Sequence, residues 1–233
     1  WSGEEIGLLG STAFVKSRRG MAGGDKINPP IAACLNLDMI GRLRASLILQ
    51  GVGSSPAWPR EIERRNAPLG LPIRLVNDCF LPTDATPFYM AGVPILSAFT
   101  GAHADYHSPR DTVDKVDVGG AARVAKLMAL IARGLVMADA PPEYVEVPFD
   151  GKSSRSRAKV ALGTMPDYGA EVVGAKLAGV RKGSPAEKAG VVSGDIVVEL
   201  AGVKVTDLTT YMEALDAMRP GQAYPLVVER AGK

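Results

Sequence analysis

Apolar residues along this chain fall into two kinds of run. Short unbroken runs stand between turn formers in the first 138 residues: "IAACLNLDMIG", "ASLILQG", "LPIRLVND" and "GVPILSAF". Runs of this length predict strands, and the first, without polar alternation, predicts a strand buried on both faces. Between them the spacing turns helical. Positions 8–19 predict a short helix leaving a glycine turn, "AWPREIERRNAP" an exposed helix stopped by Pro68, and "TDATPFYMAG" a helix stopped by Gly92. Val124, Leu127, Met128, Ile131 and Leu135 recur at i, i+3, i+4 and predict a long closing helix, with Asp117 as its cap. Strands alternating with helices predict an α/β layered domain over residues 1–138.

The pattern then breaks. "DAPPEYVEVPFDGKSSRSRAK" is rich in Pro, Ser and charge and has no period, so residues 139–159 read as a linker. Residues 160–233 are glycine-punctuated and carry four short strand patterns, "KVALGT", "GAKLAGVR", "DIVVELAG" and "AYPLVVER". One helix fits among them, with Asp207 as cap and Leu208, Met212, Leu215 and Met218 on one face. A small β-rich unit of this kind is a second domain.

Composition narrows the function classes. Of 233 residues, 46% are hydrophobic and 22% charged, enough to build a core. Lys+Arg number 27 against 25 Asp+Glu, a net charge of +2, which argues against a nucleic-acid binder with its concentrated basic face. No apolar run reaches the ~18 residues that cross a bilayer. Two cysteines, Cys34 and Cys79, do not make a disulfide framework and read as buried thiols.

Polar residues inside apolar surroundings carry the chemistry. Glu4 and Glu5 stand side by side among Gly3, Gly7 and Gly10, where a backbone turn lets both carboxylates face one way. Asp38 is a charge within an apolar strand pattern; backbone amides, a cation such as Arg42 or a metal would each satisfy it. The only two histidines, His103 and His107, lie in one loop with Asp105 and Asp111 after a buried strand, the residue types of a metal site.

Four motifs in order, "SGEEIGLLGS", "NLDMIG", "TDATPFYMAGVP" and "DYHSPRDTVDKV", resemble the co-catalytic di-zinc aminopeptidases of metallopeptidase family 28, over roughly residues 1–138. The resemblance implies a three-layer α/β/α peptidase domain holding two zinc ions. Glu4 matches the general base, Glu5 and Asp38 ligands of one zinc, and His107 a ligand of the other. Tyr106 matches a phenol that helps stabilise the oxyanion. Asp111 matches a residue orienting His107 from behind, with helix capping as an equal alternative; Asp84 occupies a further supporting position. His103 matches no ligand position and reads as a loop residue. The family's remaining ligands, a histidine and a bridging aspartate, precede the Glu-Glu motif. The expectation is therefore a piece of a longer peptidase, truncated at its N-terminus and inactive or weakly active by itself.

"AGVRKGSPAEKAGVVSGDIVVELAGVKV" resembles a bacterial-type PDZ domain over residues 160–233. Ser184 and Pro185 would start a short helix that Gly190 ends. The resemblance implies peptide binding by strand addition, with a carboxylate-binding loop at Leu162, Gly163 and Thr164 and a groove wall carrying Tyr211, Met212 and Leu215. The implied partners are peptide substrates and a peptide or protein ligand of the PDZ-like unit, with no nucleic acid and no membrane span. The implied location is periplasmic or secreted. Two other readings stay open: a non-catalytic peptide- or partner-binding protein on the same fold, and a glutaminyl-cyclase-like acyltransferase.

Overall fold

The computed structural model describes residues 1–4, 8–19, 27, 30–148, 160–167, 170 and 172–230. Glu5 and the "SSRSR" stretch lie outside the described residues. The chain forms two compact units, one of Trp1 and Gly10–Val147, the other of Ser2–Leu9 and Pro148–Lys233. In chain order the elements are α1 (Leu9–Arg18), β1 (Cys34–Leu37), β2 (Leu47–Gln50), α2 (Trp58–Asn66), β3 (Ile73–Val76), α3 (Ala85–Met90), β4 (Ile95–Phe99) and α4 (Val118–Val136), followed by β5 (Thr164–Pro166), β6 (Ala175–Val180), α5 (Pro185–Lys188), β7 (Ile196–Leu200), β8 (Val203–Lys204), α6 (Leu208–Ala217) and β9 (Leu226–Glu229).

In the first unit a four-stranded sheet runs β1-β4-β2-β3. β1 is parallel to β4 and β2 to β3, while β2 and β4 are antiparallel. Strand periodicity sorts the side chains into two cores. Leu47, Leu49, Leu96 and Ala98 pack with Trp58 and Ile62 of α2 and with Val124, Leu127, Met128 and Ile131 of α4. Ile95 points the other way, into a cluster with Val15 of α1 and Ala85, Phe88 and Tyr89 of α3. Helices thus cover both faces, the expected three layers. α4 forms because its apolar stripe follows the sequence period, and the Asp117 side chain accepts the amide of Gly120 as its cap.

Three expectations need correction. β1 is not buried on both faces: among the described residues it pairs only with β4, and Leu37 is 43% exposed. α2 is not simply an exposed helix, since Trp58 and Ile62 are core residues. Residues up to Val147 are not free linker. The amide of Val145 donates to Ser54 O, the amide of Val147 donates to the Tyr89 hydroxyl, and the Tyr144 ring lies 5.5 Å from that of Tyr89.

In the second unit, β5-β6-β7-β8 form a sheet joined by β9 against β7, all antiparallel. Asp207 caps α6 in a reciprocal box with Thr210. The buried face of α6 is Tyr211, Ala214 and Leu215, continued by Met218; Met212, expected among them, is 40% exposed. Asp195 is fully buried, yet accepts two hydrogen bonds from Arg230 (2.6 and 2.8 Å) and the amide of Val192 (2.9 Å). The Arg230 bonds hold its pKa below the ordinary carboxylate value, against the upward push of burial, and the Val192 amide adds to them.

Two predictions follow from this packing. Leu127→Ala should destabilise the first unit by about 2–5 kcal/mol in urea unfolding, because it opens a cavity against the sheet. Asp195 has a lower pKa folded than unfolded, so it stabilises above about pH 4 and that share is lost as pH falls through the depressed value. Asp195→Asn should therefore flatten the acid limb of stability, read from exchange of the β7 amides between about pH 4 and pH 2.

Candidate active site

The parallel pairing of β1 and β4 ends at Leu37 opposite Ala98. Asp38 follows β1 directly, and the loop of residues 101–117 follows β4, so both leave the same end of the sheet. Carboxyl ends of parallel strands are where α/β sheets place ligands. The two segments are zipped together. The Asp38 amide donates to Ala98 O (3.0 Å), the Thr100 amide and hydroxyl both donate to Met39 O, and the Arg42 amide donates to the Thr100 hydroxyl (3.3 Å). At its far end the loop returns to the same turn, where the Asp117 amide donates to Gly41 O (2.8 Å).

Within the loop, Tyr106 and His107 are exposed, and their rings stack 3.8 Å apart. Tyr106 is 50% exposed. His107 and Met39 both have left-handed backbones, φ 51° and φ 49°. Non-glycine residues held there cost about 1–3 kcal/mol each and gather at functional sites. Charge holds the loop. Arg42 pairs with Asp111 at 2.5 Å and with Asp105 at 3.6 Å, and Lys115 reaches Asp105 at 3.0 Å. The Lys115 hydrogen bond, with Arg42 and Arg110 nearby, lowers the pKa of Asp105. Arg42 is thus paired with these two carboxylates.

The Asp111 carboxylate lies against Arg42 and 3.8 Å from His103 Nε2. His103, which reads from the sequence as a plain loop residue, has a side chain only 5% exposed, and its buried Nδ1 has no hydrogen-bond partner among the described residues. Asp84 is buried at the start of α3 and accepts the Ser11 hydroxyl at 2.5 Å. Its place is inside the fold, beside α1. Glu4 is half-buried, and its carbonyl accepts the Leu8 amide (3.0 Å) in the turn opened by Gly3 at φ 68°. Among the described residues no three His, Cys, Asp or Glu side chains gather closely enough to hold a metal. Asp38 and His107 are donor types that zinc takes, but with Glu5 outside the described residues they are a partial set.

In the second unit, β5 closes one end of its sheet and pairs only with β6 among the described residues. The Thr164 hydroxyl and the Tyr211 hydroxyl share a hydrogen bond of 2.5 Å, which links β5 to α6. Gly163 has φ 79°, and a Cβ there would lie 2.2 Å from the Cβ of Ser184. Only glycine lets that loop pass the cap of α5. Leu162 is half-buried and its carbonyl accepts the Ala186 amide. A cavity of about 400 Å³ lies elsewhere in this unit, lined by Val172, Val173, Ile196, Val198, Val205, Lys204 and Glu229; none of the expected binding residues borders it.

Residues 1–132 match the model of peptidase family M28. The chain belongs to that peptidase family. Residues 177–230 match a PDZ domain, a span that begins past the Leu162–Thr164 loop. Among curated proteins, the leupeptin-inactivating enzyme 1 of Streptomyces exfoliatus is 29% identical over 102 residues, 44% of this chain and 22% of that protein. A probable periplasmic serine endoprotease, DegP-like, of Chlamydia muridarum is 43% identical over 63 residues, 27% of this chain and 13% of the relative. Solved structures that resemble the chain include an aminopeptidase from Aneurinibacillus sp. strain AM-1 (23% identity, TM-score 0.48, 63% of this chain and 34% of that one). Another is BSAP, a zinc aminopeptidase from Bacillus subtilis (19% identity, TM-score 0.46, 62% and 37%). The chain therefore spans less than a quarter of these curated relatives and little more than a third of these structures.

His107 offers a separation of stability from chemistry. It is exposed and strained, so His107→Gly should leave thermal stability unchanged or raise it by about 1 kcal/mol. Asp84→Ala, which removes the buried acceptor of the Ser11 hydroxyl, should cost about 1–3 kcal/mol. Thermal melts of the two variants side by side check both expectations.

Proposed function

We propose that the protein is a zinc-dependent exopeptidase, an aminopeptidase that removes N-terminal residues from peptides. The observation that carries this reading is that Asp38 and the His107 loop leave adjacent parallel strands at one end of the sheet, in a chain of a peptidase family. On this reading Glu5 and Asp38 hold one of two zinc ions and His107 the other. Bound zinc supplies a polarised substrate carbonyl and a water whose pKa falls towards ~7.

The chain's own groups do the rest. Glu4 takes a proton from the attacking water and delivers it to the nitrogen of the departing peptide, acting first as base and then as acid. A carboxylate suits this because it is ionised at neutral pH and stands beside, not on, the ligand Glu5. The Tyr106 phenol donates a hydrogen bond to the oxyanion that forms on the carbonyl, and its stacking on His107 fixes the plane of the ring.

The PDZ unit binds an extended peptide or partner segment that adds to the β5 edge, with the Leu162–Gly163–Thr164 loop taking a carboxylate and α6 forming the wall. Tyr211 and Leu215 build that wall from inside, and Met212 presents its surface. The protein works outside the cytoplasm, in the periplasm or secreted; the match to a protease named as periplasmic supports this. Among the described residues no helix is long and apolar enough to cross a membrane.

The test is hydrolysis of an aminoacyl-nitroanilide by the full-length protein, with its zinc content measured in parallel. Glu4→Gln should keep the zinc and lower kcat at least about 100-fold. Asp38→Ala and His107→Ala should lose zinc. An N-acetylated substrate should be inert. Cleavage of the acetylated substrate at the same rate, or an active Glu4→Gln protein, overturns the aminopeptidase reading. For the second unit, peptides with a free C-terminus should bind and their C-terminal amides should not.

A further inference from the structure

We propose that Arg42 is a positioning residue that clamps the loop carrying Tyr106 and His107 onto the turn carrying Asp38; this rests on the reading of those residues given above. Nearly every residue from 104 to 119 is exposed or half-exposed, so apolar burial contributes little there. Its ends are tied by backbone bonds at Met39–Thr100 and Gly41–Asp117, which leaves the middle to side chains.

Arg42 is well placed for that task. Its side chain is only 15% exposed, so its ion pairs are less screened than surface ones. One guanidinium nitrogen reaches Asp111 and another reaches Asp105, on either side of Tyr106 and His107 in sequence. A planar fork can serve two carboxylates at once, which a lysine ammonium does less well. The buried His103 ring faces Asp111 from within the loop and meets the Tyr106 ring edge-on at 6.5 Å. The carboxylates that the clamp holds therefore stand on either side of both candidate residues along the loop. The clamp also offsets the strain of two left-handed residues, one on each segment that it joins.

The experiment pairs hydrogen exchange with steady-state kinetics in the full-length protein. Arg42→Ala and Asp111→Asn should speed amide exchange about tenfold or more in residues 103–112 alone, with the β2 and β4 amides unchanged. In the same variants kcat should fall about 10- to 100-fold while KM moves less than about threefold, the mark of lost geometry rather than lost binding. Arg42→Lys should recover part of both. Unchanged exchange in both single variants overturns the clamp, and so does exchange that rises across the whole unit. A loosened loop with unaltered kcat leaves the clamp standing and overturns the roles given to Tyr106 and His107. A lost kcat with a still-protected loop shows Arg42 acting on substrate directly, which also overturns a positioning role.

Discussion

An aspartate and a histidine 69 positions apart can serve one site only if the backbone brings their segments to the same place. The parallel pairing of β1 with β4 does this. It fixes a register in which Leu37 faces Ala98, so that the turn after one strand and the loop after the other begin side by side. Everything argued about the site depends on that pairing. The helices on both faces serve it by burying Leu96, Ala98 and Ile95 and so holding β4 in the middle of the sheet.

The two halves of this arrangement are stabilised by different physics. The sheet and its helices rest on apolar burial, which is insensitive to salt. The loop of residues 101–117 rests on ion pairs and on hydrogen bonds to one turn. Such a loop can yield while the scaffold stays folded. The strain stored at Met39 and His107 belongs to the same division, since the scaffold is stable enough to hold side chains where an isolated chain would not put them.

Features with a local cause were legible in the sequence. α4 and its Asp117 cap and α6 and its Asp207 cap follow from period and cap chemistry within a few residues. The motifs around Glu4, Asp38 and His107 were visible because their residue types are unusual in their settings. The missed features are long-range. Arg42 and Asp111 are 69 positions apart and carry no periodic signal. The burial of His103 depends on which residues cover the loop. The edge position of β1 depends on strand order, which an apolar run does not encode. Met212 followed a helical spacing but fell just outside the buried arc, because the stripe turns towards Tyr211 and Ala214. The strap at Tyr144 and Val147 was hidden in a stretch whose composition reads as linker throughout.

Neither cysteine of the chain is in a disulfide. Burial, with the charge of Asp84 behind it, pushes the Cys34 thiol up to about 12. Cys79 is sealed in the core against Gly51 O and Asn77 O. A thiol attacks disulfides and peroxides as its anion, so a Cys34 thiol held neutral and a Cys79 thiol closed off in the core are poor substrates for oxidants. These two positions can therefore meet a reducing or an oxidising milieu with their covalent state unchanged.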